Sequence, residues 1–295
     1  MNAKLRSTIL LFLTAMIWGF AFVAQRMGAD FLGAFGYNGI RFAIGALSLI
    51  PVIFIFEKEK KDPKKLKHTV ICGIGAGVLL FAASTLQQYG VIITQSAGKS
   101  GFITCLYTVL VPIFGFILFR HKTSILTWIG AVFALIGLFL LSINSDITIG
   151  IGDLVLLIGA CFWSFHILFI DRFGAGVSSI KFSMAQFFTC SVLCFIFVPI
   201  AGEEITLYAV KAAAVPILYA GIMSAGVAYT LQVIAQKDAD PTYAAIICST
   251  ESVFSAIGGA IILKETMSAR GYIGCALMFF GIITSQLKPK KLKNK

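Results

Sequence analysis

Charged side chains are scarce in this sequence. They make up 13% of the 295 residues, whereas hydrophobic residues make up 58%. A soluble globular domain has about 25% charged and about 45–50% apolar residues. This shortage of charge excludes a water-soluble enzyme, and the excess of apolar side chains excludes an intrinsically disordered chain. A polytopic membrane protein is the class that remains.

Long polar stretches are also missing. The longest internal one covers residues 57–68, which leaves no room for a soluble domain. Between the short polar gaps lie ten apolar runs, each close to the roughly 20 residues that cross a bilayer as a helix. The runs cover residues 7–25, 37–56, 69–89, 100–119, 124–143, 154–170, 182–200, 212–234, 243–263 and 271–287. They are apolar on all faces and do not alternate as barrel strands do. The sequence therefore predicts an all-α protein with ten transmembrane helices.

The net charge of +11 comes mainly from Lys and Arg in alternate gaps and in the tail after residue 287. If the N-terminus lies in the cytoplasm, 18 of the 24 basic residues fall on the cytoplasmic side. Such an asymmetry fixes orientation in membrane proteins. We therefore expect a multi-pass protein of the cytoplasmic membrane with both termini in the cytoplasm. The basic residues are not gathered on one polar face, so we expect no nucleic-acid partner.

Motifs for catalysis or for cofactor binding are lacking. The sequence has only three His, and its seven Cys lie inside apolar runs with no CxxC pair. We therefore expect no disulfide, no metal and no cofactor. HExxH, GxSxG and paired-Asp motifs are absent too, which argues against an enzyme. No ATP-binding motif is present, so any transport would be driven by the gradient of the solute or of a coupled ion.

The chain contains an internal repeat with an offset of about 145 residues. Ala15–Trp18 matches Ala160–Trp163, and Thr85–Gln87 matches Thr230–Gln232. Self-similarity at a fixed period indicates repeated structural units. The prediction is two five-helix repeats, which cover residues 1–145 and 146–295. Because five is odd, the second repeat must enter the membrane from the opposite side. Inverted repeats are typical of secondary transporters, whose site lies near the midplane.

Several short motifs carry a family resemblance. They are Ala15–Phe22, Gly101–Thr104 with Val111 and Pro112, Glu251–Phe254, Leu263–Glu265 and Gly274. With them the chain resembles the EamA-type branch of the drug/metabolite transporter superfamily, although Ser252 and Lys264 replace the usual Pro and Gly. The resemblance implies that the third, fourth, eighth and ninth helices surround a central cavity and that the fifth and tenth are peripheral. It also implies transport of small metabolites such as amino acids, nucleobases or drugs.

Polar and aromatic side chains inside the runs are the candidate substrate-binding residues. They are Trp18, Gln87, Gln88, Lys99, Tyr107, Trp163, Tyr229, Gln232 and Glu251. Lipid cannot satisfy buried amides, so each glutamine either binds a solute or bridges helices. The tryptophans lie mid-run, where each either stacks on a solute or packs against a helix.

Glu251 lies near the middle of the ninth run, where a charged residue costs about 2.5–3.5 kcal/mol. It is a candidate for solute binding or proton coupling, or else makes a structural hydrogen bond. His166 is a second candidate for proton coupling, with packing as the alternative. The repeat equates Leu106 with Glu251, and Lys99 shares a helix face with Leu106. Lys99 would then bind an anion or pair with Glu251, unless it extends to the headgroups. We expect Arg41 to be an interfacial anchor.

The leading hypothesis is a secondary transporter that moves a small amino acid-like, nucleobase-like or drug-like metabolite by alternating access. Export is favoured by the resemblance alone. Its expected partners are the solute, the membrane lipids and a coupling proton. The alternatives are a lipid or lysolipid flippase or scramblase on the same fold and, less favoured, an intramembrane enzyme.

Overall fold

A computed structural model describes residues 3–56, 62–120, 124–142, 150–266 and 268–286. Within these ranges the regular structure is helical, and no β-strand occurs. The helices are α1 (Ala3–Gly28), α2 (Ala34–Phe56), α3 (Pro63–Thr94), α4 (Ala97–Thr104), α5 (Tyr107–Phe119), α6 (Ile125–Ser142), α7 (Ile151–Phe173), α8 (Ser179–Ile200), α9 (Leu207–Ala212), α10 (Ala214–Leu218), a π-helix (Tyr219–Tyr229), α11 (Thr230–Ala235), α12 (Pro241–Cys248), α13 (Glu251–Ile262) and α14 (Ala269–Gln286).

In the described part of the chain, eight helical segments are long and apolar enough to cross a membrane. Among them, α4 with α5 covers Ala97–Phe119, α10 to α11 covers Ala214–Ala235, and α12 with α13 covers Pro241–Ile262. The predicted helical, polytopic membrane protein is thus confirmed. The fifth and tenth runs correspond to α6 and α14, of 18 residues each, which pack against each other. That all ten runs cross the membrane stays a prediction.

Aspartate–proline pairs start two of the long segments. The Asp62 carboxylate accepts hydrogen bonds from backbone N–H groups in the first turn of α3, and Pro63 occupies the first helical position. Asp240 and Pro241 start α12 in the same way. A carboxylate satisfies N–H groups that have no partner within the helix, and proline has no N–H to satisfy. These caps let α3 begin six residues before the apolar run predicted from residue 69.

Two segments are interrupted at equivalent places. A turn separates α4 from α5, where the Leu106 N–H donates to the Ile103 carbonyl. The turn between α12 and α13 is alike, with the Thr250 N–H donating to the Ile247 carbonyl. These are 3₁₀-type bonds, which tighten a helix locally and often mark a functional hinge. The sequence predicted unbroken runs at both places. That was wrong, because hydropathy does not register a local change of hydrogen-bond pattern. Cys105 and Leu106 give no signal at the first break, and the polar Ser249 and Thr250 lie at the second.

The breaks also correct the repeat alignment in this segment. Tyr107 is the first residue of α5 and Glu251 the first residue of α13, 144 residues apart. Tyr107, and not Leu106, therefore occupies the position equivalent to Glu251. The offset of 145 residues holds for the earlier motifs and shifts by one here.

The helices α2 and α8 pack antiparallel along one side of the molecule. Phe35 stacks on Phe197 with ring centroids 5.4 Å apart, and Phe42 stacks on Phe187 at 5.9 Å. On the neighbouring side, α3 packs against α8 where Gly73 and its neighbour one turn on, Gly77, meet side chains of α8. Added methyl groups at these glycines would overlap α8, so the small residues permit close helix contact.

The connections between the helices lie at two ends of the bundle. The Glu203 end carries the connections at residues 29–33, 95–96, 201–206 and 263–266. The Lys237 end carries those at residues 174–178 and 236–240.

Candidate functional site

A narrow cavity of about 30 Å³ lies at the centre of the bundle. Its lining residues come from α1, α2, α3, α4, α5, α7, the π-helix, α11 and α13. They are Trp18, Ala21, Phe22, Gln25, Arg41, Gln87, Thr104, Tyr107, Trp163, Ile167, Ser224, Tyr229, Gln232 and Glu251. Such a volume holds only a few water molecules, whereas ligand pockets measure about 300–1,000 Å³. In this conformation the cavity is closed around its own side chains, so a solute would have to separate the helices.

Three aromatic rings form one wall of this cavity. The Tyr229 ring lies 4.7 Å from Trp18 and 6.0 Å from Trp163, between ring centroids. The Trp18 indole N–H donates to the Ser224 carbonyl at 3.4 Å, and that of Trp163 donates to Gln87 Oε1 at 2.9 Å. Because both indoles are held by hydrogen bonds, the wall has a defined shape. Trp18 and Trp163, equivalent in the repeat, lie 6.5 Å apart.

Glu251 lies at the break between α12 and α13 and is 4% exposed. Its Oε1 atom accepts hydrogen bonds from the Tyr107 hydroxyl at 3.0 Å and from Cys105 Sγ at 3.5 Å. Both donors lie at the equivalent break between α4 and α5. No basic side chain lies within 4 Å of this carboxyl group in the described chain. Glu251 therefore joins the two interrupted helices through neutral donors, and its position at the start of α13 suits a carboxylate.

Buried polar atoms around the cavity have unused hydrogen-bonding capacity. Within the described residues, Gln25 Oε1, Gln232 Oε1 and Thr104 Oγ1 make no hydrogen bond. Such atoms are rare in folded proteins, since leaving one unpaired costs about 1–3 kcal/mol. They are suited to bind donors of a solute or of water. Gln87 and Gln232, equivalent in the repeat, both line the cavity.

Lys99 lies away from the cavity. Its ammonium group forms an ion pair with Asp153 at the Glu203 end, at 2.8 Å, and does not pair with Glu251. Of the alternatives that the sequence left open for Lys99, pairing with Glu251 does not occur in this conformation. Asp153, in the first turn of α7, lies within reach of the Lys99 side chain at the end of the bundle.

Two other predicted residues lie behind the cavity wall. The Gln88 side-chain amide donates to the backbone carbonyl of Gln25 at 3.2 Å. His166 shares a 3.0 Å hydrogen bond with Gln186 and packs edge-on against the rings of Trp163 and Tyr229. In this conformation His166 supports the aromatic wall from behind.

Arg41 is the main cavity residue that the sequence analysis misjudged. The expected interfacial anchor was wrong, because Arg41 is 2% exposed and lines the cavity. Its Nε atom donates to Asn38 Oδ1 at 2.8 Å, and its guanidinium carbon lies 4.6 Å from the Phe42 ring centroid. The signal that would have located it is the repeat, since the equivalent residue, Gln186, is also polar and fully buried. Gln25, Thr104 and Ser224 were missed as well.

The Glu203 end is fastened by two carboxylates. Glu203 accepts from the backbone N–H groups of Phe35 at 3.1 Å and Gly36 at 2.8 Å, in the first turn of α2. Glu265 accepts in the same way from Ala97 at 3.1 Å and Gly98 at 3.3 Å, in the first turn of α4. Glu203 follows α8 and Glu265 follows α13, so both belong to the second half of the chain. Each caps a helix of the first half, and together they hold the two halves to each other at this end.

The Lys237 end is more open. A cleft of about 540 Å³ lies there between the end of α7 and the connection from α11 to α12. Backbone and side chains of both signs line it, including Asp171, Lys237 and Asp240. The two ends of the bundle therefore differ. Carboxylate caps join the halves at the Glu203 end, whereas the cleft at the Lys237 end is lined by residues of the second half alone.

Comparison with known proteins agrees with this architecture. The sequence model of the EamA-like transporter family matches the chain twice, over residues 5–143 and 150–286. An uncharacterized transporter of Archaeoglobus fulgidus is 27% identical over 286 residues, covering 97% of this chain and 87% of that protein. The uncharacterized transporter YoaV of Bacillus subtilis is 23% identical over 276 residues, covering 90% and 92%.

A solved crystal structure has the same fold. It superposes with a TM-score of 0.78 at 18% identity, and the alignment covers 95% of this chain and 98% of the other. At this identity the likeness concerns the fold alone.

Proposed function

Because the chain belongs to the EamA-like transporter family, we propose that it is a secondary transporter that moves a small organic solute by alternating access. The observation that carries this proposal is the buried cavity between the two interrupted segments, with its aromatic wall, amides and Glu251. Discontinuous helices near the membrane midplane form the solute sites of several transporter folds. The candidate solute-binding residues are Trp18, Gln87, Tyr107, Trp163, Tyr229, Gln232 and Glu251.

The proposed architecture is a pair of inverted five-helix repeats, residues 1–145 and 146–295, with ten crossings. Residues equivalent in the repeat touch each other, as residues that lie near a two-fold axis do. Phe42 stacks on its counterpart Phe187, and α2 runs antiparallel to α8 there. A two-fold axis that relates antiparallel helices must be perpendicular to them. This supports an axis in the membrane plane, the arrangement that lets two halves exchange conformations.

We assign the Glu203 end to the outside of the cytoplasmic membrane and the Lys237 end to the cytoplasm, with both termini inside. The basis is the excess of Lys and Arg in the gaps on the Lys237 side. The described conformation would then be closed to the outside by the two carboxylate caps. Release of these caps would expose the cavity to the outside and complete export.

Glu251 is the proposed proton-coupling residue. Its carboxyl group accepts from two neutral donors and has no basic partner in the described chain, so its charge state is free to respond to a proton or to a cationic solute. A change of charge there would act on both helix breaks at once, because Tyr107 and Glu251 begin equivalent segments. His166 lies one layer further from the cavity and is the weaker candidate.

Accessibility of the cavity from each side tests alternating access without knowledge of the solute. Thr104→Cys places a thiol on the cavity wall in a background whose native cysteines are replaced by serine or alanine. Thr284→Cys, buried in the peripheral α14, is the matched control. We expect a membrane-impermeant thiol reagent to label Thr104→Cys slowly from either side of the membrane and to leave Thr284→Cys unlabelled. Labelling of Thr104→Cys from neither side would contradict the proposal.

A flippase is the second candidate, and one observation favours it. An apolar crevice of about 330 Å³ opens on the lipid-facing side between α1, α12 and α14. It reaches Thr250, the residue before Glu251, so an acyl chain in the crevice would lie beside the helix break. In proteoliposomes, protein-dependent movement of a fluorescent lysophospholipid headgroup between leaflets would support the flippase. Solute uptake without headgroup movement would favour the metabolite transporter.

A further inference from the structure

Arg41 carries a buried positive charge that forms no ion pair within the described chain. No carboxylate lies within 4 Å of its guanidinium group among the described residues. Its single hydrogen bond there goes from Nε to Asn38 Oδ1, so Nη1 and Nη2 have no hydrogen-bond partner. Arg41 is nevertheless fully enclosed in the protein and forms part of the cavity wall.

Such an arrangement is energetically expensive. An unpaired charge at membrane depth is rare and marks functional positions, because the surroundings cannot replace its hydration. The aromatic rings of Phe42 and Tyr37, with centroids 4.6 and 5.8 Å from the guanidinium carbon, compensate only in part. The charge is therefore best explained by an anion that enters the cavity.

We propose that Arg41 is the anion-binding residue of the cavity and that the transported solute carries a carboxylate group. This proposal rests on the proposed transport function and names its solute class. The two terminal N–H groups on the guanidinium fork match the two oxygens of a carboxylate. A dianionic phosphate fits less well, because Glu251 lines the same cavity and would repel the second charge.

The other residues that line the cavity indicate the chemistry of the rest of the solute. Trp18, Trp163 and Tyr229 offer ring faces to an apolar or aromatic body. Glu251 offers an acceptor to a hydrogen-bond donor such as an ammonium group. The residue equivalent to Arg41 in the second repeat is the neutral Gln186, whose side chain binds His166. The cavity is therefore electrically asymmetric, and the solute carboxylate points toward α2.

The first test compares an acid with its amide. Full-length protein purified in detergent is heated with 3-phenylpropanoate or with the neutral 3-phenylpropanamide, and Tm is measured. A ligand that binds the folded state raises Tm in proportion to its occupancy. We expect the acid to raise Tm and the amide to do so at least tenfold less potently. Equal shifts with both compounds, or no shift with the acid, would overturn the proposal.

Variants of Arg41 then test whether this residue is responsible for the rise in Tm that the acid causes. Arg41→Gln removes the charge and is expected to abolish the shift by the acid. Arg41→Lys keeps the charge without the fork and should weaken acid binding at least tenfold. Arg26→Gln is the matched control, because Arg26 forms a partly exposed ion pair with Asp30. This variant should bind the acid as the wild type does. Undiminished binding of the acid by Arg41→Gln would overturn the proposal, and if that variant is not recovered, undiminished binding by Arg41→Lys would do so.

Stability without ligand separates a binding role from a structural one. Arg41→Met replaces an unpaired charge with an apolar chain of similar length. If Arg41 is kept for ligand binding, the ligand-free Tm should stay the same or rise, because a buried charge without a partner disfavours the folded state. A ligand-free Tm lowered by more than about 5 °C in both Arg41→Met and Arg41→Gln would assign Arg41 to the fold and overturn the proposal.

Failure of this inference can be told from failure of the transport proposal. Two-sided labelling of Thr104→Cys does not depend on the solute. If labelling occurs from both sides but the acid and the amide bind alike, transport stands and the anion site falls. Phenylalanine in place of 3-phenylpropanoate adds an ammonium group. Tighter binding of phenylalanine that is lost in Glu251→Gln would support the orientation of the solute between Arg41 and Glu251, and equal binding in that variant would contradict it.

Discussion

At the scale of single residues, the contact between Tyr107 and Glu251 has the most direct consequences. The two side chains begin equivalent helices and meet through one hydrogen bond of 3.0 Å. Tyr107→Phe removes this donor and leaves the buried carboxyl group with the weaker Cys105 thiol. We expect a loss of about 1–3 kcal/mol in the free energy of unfolding, measured by thermal denaturation. Tyr219→Phe is the control, since Tyr219 donates to a backbone carbonyl outside this contact, and an equal or smaller loss in Tyr107→Phe would contradict the account.

Glu251→Gln tests proton coupling at the same place. The amide keeps the shape of the side chain and an oxygen that accepts from Tyr107, but it no longer titrates. We expect near-normal insertion and yield, loss of proton-driven transport and retention of solute-for-solute exchange, since exchange needs no net proton movement. The measurement is transport by proteoliposomes with and without a pH gradient. If both modes survive unchanged between about pH 5 and pH 8, Glu251 is not the coupling residue.

The sequence predicted the aromatic and amide residues of the cavity better than the positions of the basic residues. Trp18, Trp163, Gln87 and Gln232 were found because the repeat marks them as equivalent aromatic and polar positions in the two halves. Arg41 was misplaced, and the sequence left open which way the Lys99 side chain extends. A long flexible side chain can extend several ångströms along a helix, so its position in the sequence does not determine which end it reaches.

At the scale of helices, the carboxylate caps at the Glu203 end decide how the two halves are held. Glu203→Ala removes acceptors from two N–H groups of α2, which costs about 0.5–2 kcal/mol. We also expect faster labelling of Thr104→Cys from the outside, because a contact between the halves is lost. The exposed neighbour Glu204 makes no hydrogen bond in the described chain and provides the control, Glu204→Ala. Equal labelling rates in the two variants would contradict a closing role for Glu203.

Close packing between α1 and α13 provides a further test. A methyl group on Gly19 would overlap the backbone of α13 at Glu251 and the side chain of Phe254. Gly19→Ala should therefore lower stability by about 1–3 kcal/mol. Gly159→Ala in α7 is the control, since its added methyl group meets neighbours only at ordinary contact distance. It should be neutral or slightly stabilising, because alanine favours the helix.

Helix positions followed from hydropathy, but the interruptions did not. The apolar run at residues 100–119 continues through Cys105 and Leu106 without proline, glycine or a polar residue at the break. The break is instead a change of hydrogen-bond pattern, and it is accompanied by contacts from a distant segment, such as that of Cys105 Sγ with the Ser249 carbonyl at 3.3 Å. Such tertiary contacts lie 144 residues apart in the sequence and have no local signature.

At the scale of the whole molecule, the two halves meet where residues equivalent in the repeat contact each other. Trp18 faces Trp163, Phe42 stacks on Phe187, and the equivalent helices α6 and α14 pack against each other. The fold class and the repeat were predictable because both depend on periodicity and length. The difference between the two ends was not, since it depends on carboxylates that cap helices far away in the sequence.

Distances measured at both ends of the molecule test alternating access most directly. Spin labels at Ala29 and Glu204 report on the Glu203 end, and labels at Lys67 and Asp238 report on the Lys237 end. Each pair joins the two halves, and each is measured by double electron–electron resonance in lipid nanodiscs at acidic and neutral pH, with and without 3-phenylpropanoate. The account predicts that conditions which lengthen one distance shorten the other. Distances that lengthen together, or that never change, would contradict it.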